Sequence, residues 1–126
     1  MERVRFIEHD GKKILHLDLS FLKAEKVMPV IEQARATIAS QPFKSVFTLT
    51  DVTGANFNDE VAQALKAFVA HNKPYVVAAA VVGVTGFKQV LFNTAMLFSG
   101  RTLHAFGSFA EAKTWLASQQ PGSGPG

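Results

Sequence analysis

Two polar segments in the middle of the chain carry the residue types best suited to binding chemistry. The first, residues 51–60, follows a strand-like run and leads into a helix-like one. Its side chains could contact a protein partner, and the candidate residues are Asp51, Thr53, Gly54, Asn58, Asp59 and Glu60. Carboxylates at a helix start occupy the positive end of the helix dipole and repel other anions, so we do not expect a phosphate site here. A purely structural role stays open, because Asp, Thr and Asn side chains also stabilise turns and cap helices.

The second segment, residues 83–88, follows the most apolar strand-like run and begins a helix without any acidic residue. Free N–H groups at a helix start, together with a lysine, can receive a carboxylate or phosphate head group. The candidate ligand-binding residues, with two from the helix that follows, are Gly83, Thr85, Gly86, Lys88, Phe92 and Met96. The pattern lacks the spacing of a known nucleotide-binding loop, and close packing of strand against helix explains the glycines equally well. Both segments follow strands that we expect to be neighbours, so we predict that they lie close together at one edge of the sheet.

The helix after the second segment is apolar on more than one side. We predict that one stripe packs on the core, formed by Phe87, Val90, Leu91, Thr94 and Phe98. Further apolar side chains lie outside that stripe, namely Phe92, Ala95, Met96 and Leu97. A helix that is apolar nearly all round is buried on more than one side. Another helix, a second subunit in a homodimer, or a hydrophobic ligand could cover the second side.

The sequence does not contain the residue patterns of several common functional sites. There are no cysteines, which removes disulfides and thiolate sites, and the four histidines lack the spacing of a known metal site. No serine sits in a nucleophile motif, so we expect no catalytic residues, no metal, no cofactor and no enzyme activity. The net charge is +3, but the basic residues are scattered, which argues against nucleic-acid binding.

The chain also lacks targeting signals. No signal-peptide pattern follows Met1, and the longest apolar run, residues 75–82, is far shorter than the roughly 20 residues that cross a bilayer. We therefore expect a cytoplasmic protein without a transmembrane segment.

The hydrophobic pattern predicts an α/β fold. Residues 4–8 and 14–19 alternate around Asp10-Gly11, which is a strong hairpin signal. Strand and helix patterns then alternate, with strands over 45–50, 75–84 and 101–106 and helices over 24–40, 58–72 and 85–98. A capping box at 108–111 predicts a final helix that contains Ala112, Trp115 and Leu116. The prediction is an N-terminal β-hairpin followed by repeated βα units, which gives a mixed, mostly parallel sheet of five strands with four helices. We expect residues 1–118 to form a single domain and residues 119–126, rich in Gly and Pro, to be a disordered tail.

The alternation also predicts which side chains share a face of the sheet. Strands two and three each have one apolar and one mixed side, so we expect helices mainly on one face. Four side chains are then expected on the less apolar face: His16, Asp18, Thr48 and Thr50.

The order and spacing of several motifs resemble a known family. These are Asp10-Gly11-Lys12, Leu17-Asp18-Leu19, LTDVTGANF at 49–57, NKPYVVAAAVVGVTGFKQ at 72–89 and FGSFAEAKTWL at 106–116. Together they resemble the STAS domain superfamily of bacterial proteins, and most closely its SpoIIAA-like branch, which is related in fold to the CRAL-TRIO lipid-transfer domains. The resemblance covers almost the whole chain before residue 119.

The resemblance implies a regulatory module that acts through protein–protein interaction. In partner-switching relatives a strand ends in a motif similar to Asp51-Val52-Thr53-Gly54, and a second motif nearby carries a serine that a kinase phosphorylates. Asp59 matches the aspartate of that second motif, but the serine positions fall on Glu60 and Val61, which cannot accept phosphate. We therefore expect a non-enzymatic STAS-like module without the usual phosphorylatable serine. The alternative is a carrier that holds a lipid or other small apolar ligand in a pocket beside the third helix.

Overall fold

The computed structural model describes residues 2–119 of the chain. The nine helices and strands of this part are, in chain order, β1 (Val4–His9), β2 (Lys12–Asp18), α1 (Ala24–Ala39), β3 (Val46–Asp51), α2 (Asp59–His71), β4 (Val76–Val82), α3 (Lys88–Ser99), β5 (His104–Phe106) and α4 (Phe109–Ala117). Within residues 2–119, no helix has the length and apolar character that crossing a membrane requires. The tail predicted at 119–126 lies outside the described residues, except for Gln119, whose backbone N–H bonds to the carbonyl of Leu116.

The hairpin forms as the sequence predicts. β1 and β2 pair antiparallel from Val4 opposite Leu17 to His9 opposite Lys12. Only two residues separate the strands, and both have positive φ, 50° at Asp10 and 78° at Gly11. A two-residue turn of this kind matches the right-handed twist of the strands, and Asp-Gly accepts its backbone angles at low cost.

The sheet has its strands in chain order, β1-β2-β3-β4-β5, and every pair after the hairpin is parallel. Helices α1, α2 and α3 each connect one parallel strand to its neighbour, so crossovers of the same hand place all three on one face. Helix α4 follows the last strand and packs on the opposite face, against β4 above all. The predicted fold class is confirmed, with four helices and a mixed sheet of five strands.

Each face of the sheet has its own apolar core. On the first face, leucines of β2 and residues of β3 and β4 pack against α1 and α2 through Val27, Ile31, Val61 and Phe68. On the second face, Ala112 and Leu116 of α4 cover the other side of the same strands. Leu116 is fully buried, and truncating such a side chain to alanine typically costs about 2–5 kcal/mol.

The prediction of which side chains share a face was half right. His16 and Asp18 do share a face, but they lie beside Leu49 and Asp51 of β3, under α4. Thr48 and Thr50 lie on the opposite face, beside Leu15 and Leu17. The error has a simple physical cause: alternation within a strand gives two sets of side chains, but only the pairing register decides which sets of neighbouring strands coincide.

His16 is a polar side chain enclosed by the second core. Its ring packs edge-on against Phe109 with 4.8 Å between ring centroids, and its Nε2 is buried without a hydrogen-bond partner among residues 2–119. Burial lowers the pKa of His16 from its ordinary 6.5; Asp18 and Asp51 raise the pKa in part, and Arg5 lowers it further. The folded protein therefore favours the neutral imidazole.

We expect His16 to make folding stability depend on pH. Well above pH 6.5 the imidazole is neutral in both the folded and the unfolded protein, so it does not change the free energy of unfolding. As the pH falls through 6.5, the unfolded chain binds the proton first, because the pKa of the folded state is lower. Stability therefore decreases until the pH is below the pKa of the folded state. The variant His16→Leu should reduce the slope of the free energy of unfolding against pH in this interval, measured by urea denaturation at a series of pH values. His104→Leu, which removes an exposed histidine of the same face, is the control and should keep the wild-type slope. Equal slopes for His16→Leu and wild type would contradict the expectation.

Candidate functional site

The two polar segments meet at the carboxyl edge of β3 and β4, as predicted. The N–H of Val52 donates to the carbonyl of Val82 over 2.9 Å, which continues the β3–β4 pairing beyond the strand ends. Gly83 has φ +90°, and a Cβ there would lie 2.6 Å from the backbone nitrogen of Thr53. Glycine is therefore required at 83 both for its backbone angle and for the close approach of the other loop.

The residues that follow β3 form a tightly bonded turn. Asp51 accepts a hydrogen bond from the N–H of Thr53 over 2.9 Å through its Oδ1. The carbonyl of Thr53 accepts from the N–H of Phe21 over 2.9 Å, and the ring of Phe21 occupies the space that a Cβ on Gly54 would need. Asp51, Thr53 and Gly54, all candidates for partner contact, thus have local structural roles.

The remaining partner-binding candidates lie at the start of α2, and they have different roles. The Oδ1 of Asn58 accepts from the N–H of Val61 over 2.8 Å and caps the helix. Asp59 and Glu60 are exposed in the first turn, where negative charge is favourable. These two carboxylates form no hydrogen bond or salt bridge with residues 2–119.

Backbone N–H groups of the second segment and the residue after it also form hydrogen bonds to carbonyls of the same segment. The N–H groups of Lys88 and Gln89 donate to the carbonyls of Thr85 and Gly86, over 3.2 and 3.1 Å, and form a tight turn ahead of α3. The helix begins at Lys88, three residues later than predicted. Thr85 and Gly86 are exposed, and they lie outside the pocket described below.

Lys88 joins the two segments. Its Nζ donates to the carbonyl of Val52 over 2.8 Å and lies 5.4 Å from the centroid of the Phe57 ring. Burial lowers the pKa of Lys88, and Asp51 partly offsets that effect. The ammonium group thus connects α3 to the end of β3 through a hydrogen bond.

A cavity of about 80 Å³ lies between the first face of the sheet and helices α2 and α3, partly open to solvent, and we call it the α3 pocket. Its lining comes from β3, β4, the two helices and the segment before β5: Thr48, Thr50, Val52, Phe57, Leu65, Phe68, Val69, Asn72, Ala79, Val81, Val84, Lys88, Leu91, Phe92, Ala95, Arg101 and Leu103. Of the six predicted ligand-binding residues, the structure places Lys88 and Phe92 in this lining, while Met96 packs against the adjoining core. The pocket exists because α3 packs mainly on α2 and stands away from the strands.

Four polar residues of the α3 pocket were not predicted as site residues. Thr48 and Thr50 face it from β3, and Asn72 and Arg101 line it at the far end of α2 and α3. The Nη1 of Arg101 donates to the carbonyl of Val69 over 3.2 Å, and burial lowers the pKa of its guanidinium to about 10. The two threonines in an otherwise apolar central strand were the sequence signal that could have revealed this site.

The stripe of α3 predicted to face the core was mostly wrong, because Leu91 is the one residue of the five that points inward. Leu91, Phe92, Ala95 and Met96 point inward, while Phe87, Val90, Leu97 and Phe98 are large exposed hydrophobic side chains, with Leu97 87% exposed. The helix has apolar residues on nearly every side, so periodicity alone could not identify the buried side. Gln89 and Asn93, joined by a 3.2 Å hydrogen bond on the exposed side, were the signal for the correct orientation.

Two of the four histidines, His16 and His104, pack against aromatic rings of α4. His16 packs on Phe109, and His104 packs on Trp115 with 4.4 Å between ring centroids. In the part of the chain from 2 to 119, no three His, Asp or Glu side chains come together as metal ligands would.

No protein-family model matches the chain, and no curated protein and no solved structure gives a significant match. The resemblance to STAS domains therefore stays a prediction from the motifs.

The contact between the two loops gives a matched pair of glycine variants. We expect Gly83→Ala to destabilise the fold by about 2–4 kcal/mol, because it combines backbone strain with a clash against the backbone of Thr53. Gly86→Ala is the control: its φ is also positive, +59°, but a Cβ there meets nothing within 4 Å, so strain alone should cost about 1–2 kcal/mol. Urea denaturation measures both, and equal losses would contradict the close approach of the two loops.

Proposed function

We propose that this protein is a non-enzymatic binding module that holds a lipid or other small apolar ligand in the α3 pocket. The observation that supports this most directly is the composition of the pocket wall. Phenylalanine, leucine, valine and alanine side chains from two helices and two strands converge on it, with a few polar groups among them. Sites for small molecules have this composition, an apolar lining with a small number of polar groups that fix the orientation of the ligand.

The volume of the pocket limits what can enter. At about 80 Å³ it is smaller than the cavity of roughly 150 Å³ that admits benzene in an engineered protein. A short apolar group fits inside, and a longer chain has to extend through the open side or displace α3. Displacement is the easier change at this position because α3 contacts α2 more than it contacts the sheet.

A second candidate function is protein–protein interaction, including homodimer formation, through the exposed side of α3. Four large hydrophobic side chains are exposed there, Phe87, Val90, Leu97 and Phe98. An exposed apolar patch of this kind is typical of an interface in a soluble protein. Phe87 packs edge-on against Phe57 at 6.5 Å between ring centroids, which places the patch beside the loop that leads to Asp59 and Glu60.

This second candidate fits the resemblance to STAS regulators. The carboxylates of Asp59 and Glu60 are free to contact a partner, and Glu60 stands where such relatives carry the phosphorylated serine. A fixed carboxylate has less charge and fewer acceptor oxygens than a phosphate. We propose that, if a regulatory partner docks here, it does so without a phosphorylation switch.

Filling the pocket tests the ligand-binding proposal. Ala95 lines the pocket and is 4% exposed, so Ala95→Leu places three additional carbon atoms where the ligand would lie. We expect native mass spectrometry of the purified wild type to show an additional mass that organic extraction removes, and we expect Ala95→Leu to lack it. Hexan-1-ol, titrated and followed by NMR of the backbone amides, should shift pocket residues in wild type at least tenfold more strongly than in the variant.

Thr94→Leu is the matched control, because it introduces the same side chain at the adjacent, exposed position of the same helix. It should retain both the additional mass and the response to hexan-1-ol. A wild-type protein with no extractable mass and no saturable response to hexan-1-ol would contradict ligand binding in this pocket.

Oligomeric state tests the second candidate. We expect sedimentation equilibrium to show a dimer at micromolar concentration, and Val90→Glu with Leu97→Glu to produce a monomer, because a buried unpaired carboxylate is costly in an apolar interface. Phe43→Glu is the control: Phe43 is also exposed, but it packs on Tyr75 away from α3. A wild-type monomer at high concentration would argue against the homodimer.

A further inference from the structure

Arg101 brings a mostly buried positive charge to the α3 pocket. The guanidinium has five N–H donors, and one hydrogen bond to the protein is present among the described residues, from Nη1 to the carbonyl of Val69. The remaining donors have no hydrogen-bond partner among residues 2–119, and Arg101 lines the pocket. Asn72, three residues after Val69 on the same helix end, lines this pocket too and carries a side-chain amide that can donate as well.

Arg101 lacks a counter-ion in the described part of the chain. Burial is the single cause of its lowered pKa, and no carboxylate lies close enough to raise the pKa again. The salt bridges found in residues 2–119 belong to other cations, Arg3, His9 and Arg35. The wall of the pocket contains no Asp or Glu. Keeping a charge out of water without a partner is costly, and an anionic ligand would remove that cost.

Lys88, the cation that the sequence suggested as the head-group receptor, is less suited to this role. Its Nζ already donates to the carbonyl of Val52, and Asp51 compensates part of its charge. Lys88 begins α3 and Arg101 follows its end, so their backbone positions are about 16–20 Å apart at 1.5 Å per helical residue. The two side chains therefore line the pocket from opposite ends of α3.

Charge and size at Arg101 favour a carboxylate over a phosphate. The planar guanidinium can bind two oxygens of either group at once, so its shape does not distinguish them. One carboxylate balances the single positive charge, whereas a phosphate monoester carries nearly two negative charges at neutral pH. The pocket volume of about 80 Å³ further favours the smaller group.

We propose that the α3 pocket binds a carboxylic acid with an apolar tail, whose carboxylate pairs with Arg101 while the tail lies against Phe92, Ala95 and Leu103. This inference rests on the proposed ligand-binding function and adds the charge and orientation of the ligand. The acid is either short enough to lie inside the pocket or a fatty acid whose tail leaves through the open side. The two have the same head-group chemistry and differ in the length of the tail.

The test compares hexanoate with hexan-1-ol, which has the same tail length and no charge, on wild type, Arg101→Gln and Lys88→Gln, by calorimetric or NMR titration. Losing a hydrogen-bonded charge pair typically costs a factor of about 10–100 in affinity. We expect Arg101→Gln to weaken hexanoate binding by about that factor more than it weakens hexan-1-ol binding, and we expect Lys88→Gln to affect the two ligands to the same extent, within threefold. Dodecanoate binding at least tenfold more tightly than hexanoate identifies the fatty acid, and similar affinities identify the short acid.

The outcomes separate this inference from the proposed function. If hexan-1-ol binds wild type as tightly as hexanoate does, or if Arg101→Gln retains hexanoate affinity, the role of Arg101 is wrong while the pocket remains an apolar site. If Lys88→Gln rather than Arg101→Gln loses hexanoate, the head group lies at the other end of the pocket and the inference is wrong. If hexanoate, dodecanoate and hexan-1-ol all fail to bind wild type, the proposed function and the inference fall together.

A measurement on wild type keeps the inference testable if Arg101→Gln does not fold. Hexanoate labelled with ¹³C at its carboxyl group reports its own protonation by NMR. Pairing with a guanidinium stabilises the ionised carboxylate, so the pKa of bound hexanoate should be at least one unit below that of free hexanoate. An unchanged or raised pKa of the bound acid would overturn the pairing with Arg101.

Discussion

The parallel pairing of β2, β3, β4 and β5 in chain order is the constraint on which the rest of the structure depends. Because each strand lies next to its predecessor and runs in the same direction, each connecting helix returns over the same face. Three helices therefore crowd one face, and the other is left to α4 alone. The strand order never reverses along the parallel part, so the sheet has no crevice of the kind where doubly wound folds bind ligands. The open space lies instead between the sheet and the last of the three crossover helices.

The position of α3 follows from that arrangement. It is the outermost of the three crossover helices, it packs on α2, and beyond it lies only the three-residue strand β5. An apolar helix in this place has one side over the strands and one side without a neighbour in the described part of the chain. The same residue composition therefore produces both an internal pocket and an exposed hydrophobic patch.

Local patterns were sufficient to predict the elements, and contacts between distant segments decided what could not be predicted. The Asp10-Gly11 turn, the Asn58 cap and the alternating strands depend on neighbours in sequence, and the structure has all of them. The face of the sheet on which Thr48 lies depends on the register between strands, and the buried side of α3 depends on how this helix packs on its neighbour. Neither can be read from a single segment of the sequence. Arg101 was missed for the same reason: a lone arginine near a predicted strand has no special pattern, and its burial arises from α2 and the sheet closing around it.

The short strand β5 leaves part of the edge of β4 without a paired strand. It pairs with β4 at Ala80, Val81 and Val82 only, so the first half of β4 has no strand beside it on that side. Unpaired backbone groups along a flat, apolar strand invite addition of a strand from another molecule, and proteins prevent this by covering the edge or keeping it short. Here the segment from Gly100 to Leu103 runs past that edge on its way to β5. In this position the segment leaves less of the β4 edge open to a strand from another molecule, in addition to linking α3 to β5.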